Sequence, residues 1–492
     1  MSRFGQMYRE MYKAYQNKEY QKVVEIGELT ARTIPIAHQD AFYFHEMMTS
    51  CMFMLRRGED ACWHLERALQ SDALPDNREK CWRFCSDALV WLHFFPELQD
   101  KQVFNMHQLY GTLFDRIIRY HHKKEKHRHH DKIRIGYLSL DFYEHIVTNF
   151  AVQLYSAYDK ERFEVHLYNI GNIHNEVTDW LSSMVDGWHD LKGKTDSEIA
   201  AQIYEDEIDI LVDLAGHTHK GRTLQVMVYK PAPVQLSGIG YFNTTGLSEV
   251  DYYIADGYCD PPGNEALFTE KLLRLPKSHF CFTPSEDVLK CKRQWQLHEH
   301  RVFGSFSNFF KLNDYILCLW LRIIRSIPGS RLLLKNVRPD LDEIEEMTSR
   351  MLKLGYKQEE FILRPGSKYY LDEYNDMDIA LDPYPYPGGG TTCEAIYMGV
   401  PVISRYGMRH GSRFGYSLLC NIGLEELTAA TEEDYVRTAV NLANSPELLQ
   451  ELHSNLRQIM QNSPVMDGAG YVADMQSAYS RIYKEWMEGQ ST

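Results

Sequence analysis

The sequence predicts an α/β protein in which two parallel-sheet domains face each other across a cleft, preceded by a short all-α domain of tetratricopeptide type. Three observations carry that prediction. From Ile133 onward, short apolar strands alternate with helical patterns, as in a parallel sheet covered on both faces. The alternation breaks at a polar connector around Arg293–His300 and starts again at Val302, which makes two sheets. Before Ile133, apolar and aromatic residues recur at three- and four-residue spacing, the period of helices alone.

With 492 residues, the chain is too long for one core. The composition shifts divide it into a helical domain (1–120), a His/Lys-rich linker (121–131), a first lobe (132–295), a second lobe (296–466) and a C-terminal helix (467–492). Apolar residues make up 44% and charged residues 25%, as in a soluble globular protein. A net charge of −15 argues against a nucleic-acid binder, which carries a basic footprint. The ten cysteines stand singly, apart from Cys81 and Cys85 at helical spacing, and form no paired ligand pattern. Reduced thiols in a cytoplasmic setting, with no metal, are expected. The first residues, Met-Ser-Arg-Phe-Gly-Gln, contain no apolar signal core, and no run is long enough to span a bilayer.

In the helical domain, Tyr8, Met11, Tyr12 and Tyr15, then Val23, Val24, Ile26 and Leu29, mark buried helix faces. The turns Tyr15–Tyr20 and Leu55–Asp60 resemble each other at a period of roughly forty residues, which fits helix–turn–helix repeats. Such a domain serves either as a surface for an accessory protein or a second copy, or as a cap on the catalytic body. The stretch His121–His130 has no apolar anchor and no cysteine partner, and reads as a solvated linker rather than a metal site. First-lobe strands are expected at Ile133–Ser139, Phe163–Asn169, Ile208–Leu214, Val234–Ser237 and Tyr252–Ile254. Second-lobe strands are expected at Val302–Phe306, Arg331–Leu334, Phe361–Leu363, Ile379–Leu381 and Val402–Ser404. Helical segments at Glu432–Ala443 and Gly468–Met487 finish the chain. Ligands of such sheets sit at strand C-terminal ends, where the strand order switches.

The loops at those ends carry the chemistry. After Leu381 come a Pro/Tyr corner, three glycines including Gly389 and Gly390, then Thr391 and Thr392 at the head of a helix. A glycine-rich turn feeding a helix N-terminus offers free N–H groups and a positive dipole end to a phosphate. The threonine hydroxyls cap that helix or bind the same anion, and Glu394 can accept from ribose hydroxyls. Together these suggest a nucleoside diphosphate held without a metal. Lys311, at a strand end, can neutralise a diphosphate leaving group, with Asn308 and Phe310 lining the same cavity. Arg364-Pro-Gly366 can present backbone groups to a base. In the first lobe, Asp141 and His145 occupy one loop, and Gly216–Arg222, with His217, His219, Lys220 and Arg222, a second. Two imidazoles and two cations exceed what a turn needs. A third loop, Ser237–Gly246, suits close substrate approach.

These motifs occur in one order: Ser139-Leu-Asp-Phe142 with His145, Ala215-Gly-His-Thr218, Lys230–Gln235, Gly240–Gly246, Asp251–Ile254 with Asp260-Pro-Pro262, Asn308–Lys311, and Asp378–Ser404. Over about Ile133 to Tyr483 the chain resembles O-linked N-acetylglucosamine transferases, as a bacterial member of glycosyltransferase family forty-one. That family also includes N-glycosylating adhesin glucosyltransferases. The resemblance implies a GT-B fold with two Rossmann-like lobes and an inverting, metal-independent transfer from a UDP-sugar to a protein side chain. It puts Lys311 at the diphosphate, Thr391 and Thr392 in the phosphate loop, Glu394 at the ribose and His145 near sugar and acceptor. Two positions depart from the animal pattern, with Gly390 where a His precedes the threonines and His217 where a Tyr follows the glycine. Sugar and base therefore stay open: N-acetylglucosamine to Ser/Thr, a hexose to Asn of an adhesin-like protein, or a non-catalytic binding subunit. His145, His217, a water or a donor phosphate oxygen takes the proton.

Overall fold

The computed structural model describes residues 3–71, 78–123 and 130–489, so most of the histidine-rich linker (124–129) lies outside the described residues. Six helices open the chain: Arg3–Gln16, Tyr20–Ala31, Ala41–Met54, Gly58–Leu69, Arg78–Leu92 and Asp100–Thr112. The first four form two antiparallel pairs joined at the turns expected from the repeat. Their apolar stripes share one core with the outer layer of the first lobe, where Phe42, Met48, Leu65 and Leu89 join Leu138, Ile199 and Leu224. The tetratricopeptide-like domain is thus a cap fused to the body by a continuous core.

The first sheet has seven parallel strands: β1 (Ile133–Ser139), β2 (Phe163–Asn169), β3 (Gly187–Asp190), β4 (Ile210–Asp213), β5 (Val234–Ser237), β6 (Tyr252–Asp256) and β7 (Lys271–Leu275). Their spatial order is β3-β2-β1-β4-β5-β6-β7, so the order switches between β1 and β4. The second sheet has six: β8 (Val302–Phe306), β9 (Arg331–Lys335), β10 (Phe361–Arg364), β11 (Ile379–Leu381), β12 (Val402–Arg405) and β13 (Thr428–Ala429). Here the order β10-β9-β8-β11-β12-β13 switches between β8 and β11. Central strands such as β4 and β8 are buried along their whole length, which explains their unbroken apolar runs.

Apolar residues of both lobes join one core. The last helix, Gly468–Glu488, returns to the first lobe, where Tyr479 OH meets Tyr137 OH at 3.1 Å and Tyr471 OH donates to the His279 carbonyl at 3.1 Å. Along its described residues the C-terminal helix expected within 467–492 is thus bound to the first lobe. This is the two-lobed arrangement the resemblance implies. Among the described residues no helix is long and apolar enough to cross a membrane.

Candidate active site

A cavity of about 480 Å³ opens between the lobes at both switch points. The first lobe contributes Ile146, Val147, Phe150, Phe280 and the stretch Ile239–Phe242. Across the cleft stand Lys311, Lys335, Tyr370, Tyr386, Gly389, Gly390, Thr391 and Glu394. Phe242 and Tyr386 close the gap, with ring centroids 4.2 Å apart.

Lys311 reaches the cavity because Asn308 Oδ1 accepts the Phe310 N–H at 3.0 Å and turns the chain sharply after β8. Its ammonium lies 4.1 Å from the centre of the Tyr386 ring. Burial pulls its pKa down to about 8, partly offset by Asp382. The second cavity lysine, Lys335, is already used: its Nζ donates to the Pro365 carbonyl and pairs with Glu373 Oε1, each at 2.7 Å. Lys311 has no carboxylate within ion-pair distance among the described residues, so its charge is available to an anion.

The glycine loop after β11 is built on Asp382. Its Oδ1 accepts from Thr392 Oγ1 at 2.9 Å and from the Gly388 N–H at 3.3 Å, while Tyr435 OH donates to its carbonyl at 2.9 Å. Burial raises the Asp382 carboxyl to about 6. A Cβ on Gly388 would stand 2.4 Å from Thr391 Oγ1, so only glycine lets both threonines fold back over the turn. No side chain caps the following helix, Gly390–Tyr397, at Gly389, which leaves its first N–H groups to an incoming anion. Glu394, one turn on, accepts from Tyr370 OH at 2.7 Å, and burial raises its pKa to about 7. A Cβ on Gly390 would lie 2.3 Å from Ile146 Cγ1, so the glycine loop and the first lobe touch at that point.

Of the expected residues, Lys311, Gly389, Gly390, Thr391 and Glu394 converge on this cavity. Thr392 faces Asp382, Asn308 caps the Lys311 turn, and neither lines the cavity. Arg364 also lies outside it: Nη1 donates to Glu373 Oε2 at 2.9 Å and to Asp376 Oδ2 at 2.6 Å, leaving Gly366 and Ser367 to form that wall. His145 precedes the wall residue Ile146 and caps helix Ile146–Ser156, its Nδ1 accepting the Val147 N–H at 3.4 Å. Burial lowers its pKa, with Asp141, 3.7 Å away, opposing. His219 holds Asp141 more closely, with Nε2 hydrogen-bonded to Oδ2 at 3.2 Å, and that hydrogen bond raises the His219 pKa.

His217 needs a correction as a catalytic candidate. It is fully buried away from the cavity. Nε2 donates to the Thr245 carbonyl at 2.9 Å, and Nδ1 accepts from Ser86 of the helical domain at 2.7 Å. Burial holds it neutral, so it cements an interface and has no lone pair left for an acceptor. The threonines of the third loop are likewise spent on Glu270, to which Thr244 Oγ1 donates at 2.6 Å. Sequence reasoning named the loops that hold Phe242 and Tyr386 but not those side chains, and it missed Lys335 and Ile146, which carry no local signature; only the fold brings all four to the cleft.

The model of glycosyl transferase family 41 matches residues 112–287 and 282–475. The probable UDP-N-acetylglucosamine–peptide N-acetylglucosaminyltransferase SPINDLY of Arabidopsis thaliana is 34% identical over 426 residues, 85% of this chain and 46% of the relative. The SEC protein of the same plant, which bears the same activity in its name, is 27% identical over 374 residues, 73% of this chain and 38% of its own. The chain spans about half the length of the curated relatives it matches. Among solved structures, a mutant of the Thermobaculum terrenum O-GlcNAc transferase superposes with a TM-score of 0.80 at 28% identity, covering 96% of this chain and 89% of that one. From the ordered loops, the two facing sheets and these matches, the chain belongs to glycosyl transferase family 41.

Proposed function

We propose that this protein is an inverting glycosyltransferase that moves a sugar, N-acetylglucosamine, from a UDP-sugar to a Ser or Thr hydroxyl of a protein acceptor. The observation that carries the reading is the convergence of Lys311 and the uncapped helix at Gly389–Thr391 on one cavity between the lobes. The relatives' names support the donor and the peptide acceptor. The acceptor oxygen attacks the anomeric carbon as the bond from that carbon to the diphosphate oxygen breaks. UDP leaves with the electron pair. The Lys311 ammonium and the helix amides stabilise the charge gathering on the diphosphate, and no metal is needed for that step. Glu394 receives the ribose hydroxyls. The hydroxyl proton passes to His145, a water or a donor phosphate oxygen. That none of the ten cysteines is disulfide-bonded supports a reducing, cytoplasmic setting, and the helical domain is the surface for an accessory protein or second copy.

The test is mass spectrometry of protein acceptors incubated with a panel of UDP- and GDP-sugars. Ser/Thr adducts from UDP-N-acetylglucosamine are expected. Adducts on Asn, transfer from a GDP-sugar, or no transfer at all would each overturn the corresponding part of the reading.

A further inference from the structure

Behind the cleft wall lies a buried cluster drawn from both lobes. Cys259 follows β6, His279 follows β7, and His410 comes from the second lobe. All three are at most 1% exposed. The thiol sulfur and one ring nitrogen of each histidine lie within 4.8 Å of one another.

The surroundings resemble the outer shell of a metal centre. His279 Nδ1 is bound to Asp256 Oδ2 at 2.6 Å, and His410 Nδ1 to Asp260 Oδ2 at 2.5 Å, both carboxylates being buried. A carboxylate on Nδ1–H fixes the tautomer and turns the Nε2 lone pair outward, as it does for metal-bound imidazoles. His279 Nε2 is buried with no hydrogen-bond partner among the described residues, a costly position for a polar atom. Ser417 Oγ and the Cys259 N–H also bind Asp256, which fixes that carboxylate. The Cys259 sulfur makes only weak contacts, with the Arg413 carbonyl at 3.7 Å and with the Ser417 hydroxyl.

We propose that Cys259, His279 and His410 supply three ligands of a structural zinc ion that staples the two lobes together, a water trapped with the ion completing the tetrahedron. One thiolate and two imidazoles are a borderline-soft donor set, which suits zinc rather than magnesium or calcium. Zinc–ligand bonds of about 2.0–2.3 Å put ligand atoms roughly 3.5 Å apart, so the cluster, whose atoms lie within 4.8 Å, closes by at most about 1.3 Å on binding. His279 and His410 flank the cavity residues Phe280 and Phe414, so the ion sits behind the cleft and takes no part in sugar transfer. The three ligands lie far apart in sequence, which is why no cysteine–histidine spacing announces them.

A closed site loads during folding, so the full-length chain is produced in zinc-supplemented medium, dialysed, and assayed for bound metal. About one equivalent is expected, falling to near zero in Cys259→Ser and His410→Gln and unchanged in Cys62→Ser. Refolding with cobalt(II) as the probe is expected to give a thiolate-to-metal charge-transfer band in the near ultraviolet, absent in Cys259→Ser. Should those variants fail to fold, wild type refolded with and without zinc decides: a midpoint several degrees higher with zinc, together with the cobalt band, supports the site. Zinc retained by Cys259→Ser, which would place it elsewhere (the histidine-rich stretch 121–131 included), or no charge-transfer band in wild type, overturns it.

Discussion

Both lobes switch strand order at their centre, and both place polar loops at that point, yet the two sets of loops do different work. At the β8/β11 switch, Lys311 lies against the Tyr386 ring with no carboxylate in ion-pair distance among the described residues, and the helix at Gly390 has no side-chain cap. At the β1/β4 switch, Asp141 is engaged by His219, and His217 is locked between Ser86 and Thr245. Equivalent topology therefore does not make equivalent chemistry. What marks a site is a polar group that the protein leaves unsatisfied at the mouth of a cavity. The first lobe instead spends its polar loops on fastening the helical domain and supplies apolar walls, Ile146 and Phe242, to the cleft.

The sharpest break between the lobes is expected from Lys311→Ala. Removing the free cation should cut transfer by about 10²–10³-fold. The unfolding midpoint should hold or rise, because a buried ammonium is lost; near wild-type turnover sinks the assignment. In wild type, kcat/KM should fall as pH rises through about 8, since the ammonium is the active form and is lost above its lowered pKa.

Next comes the contact between lobes. Gly390→Ala should lower kcat/KM by roughly tenfold by forcing the loop off Ile146, and Ile146→Ala should recover most of that loss in the double variant. Strict additivity of the two changes would show that they do not couple.

His217→Phe tests the other side of the comparison. It should cost about 2–4 kcal/mol of stability by stranding Ser86 and the Thr245 carbonyl, with turnover per folded molecule retained. Loss of turnover at unchanged stability would restore His217 as a catalytic group.

Glu394→Gln exposes a cost that function imposes. A carboxyl whose pKa rises from about 4.5 to about 7 on folding penalises the folded state, by up to about 3 kcal/mol. That penalty is small near pH 4.5, grows as pH rises, and is complete above pH 7. The variant's gain in unfolding midpoint should therefore be largest at pH 8 and shrink toward pH 5, while UDP affinity falls.

The smallest effect belongs to His219→Gln. The pair with Asp141 raises the His219 pKa, so its stabilisation is fully present below pH 6.5 and fades as pH rises through the raised value. Thermal midpoints of variant and wild type should converge at high pH.

Residues of long, periodic elements were legible directly. The central strands and the helices Glu432–Ala443 and Gly468–Glu488 follow from apolar period alone. The short edge strands β3 and β13 were not, because Gly187–Asp190 and Thr428–Ala429 carry little apolar signal and owe their pairing to a neighbour already in place. The helices Leu341–Lys353 and Pro446–Gln461 also went unread: the first is largely charged and buries only Met347 and Met351, and the second sets its stripe of Leu449, Leu452, Leu456 and Met460 among polar residues.

Local chemistry, then, is what the residues alone determined here: a glycine–threonine turn before a helix and a lysine after a strand read as an anion site because backbone geometry acts within a few residues. Whether a given imidazole or guanidinium is free was decided only in three dimensions. His217 finds Ser86 from 131 positions away, and Arg364 is absorbed by Glu373 and Asp376. Burial and pairing set the worth of a charge, and both depend on which distant segments the folded chain packs around it.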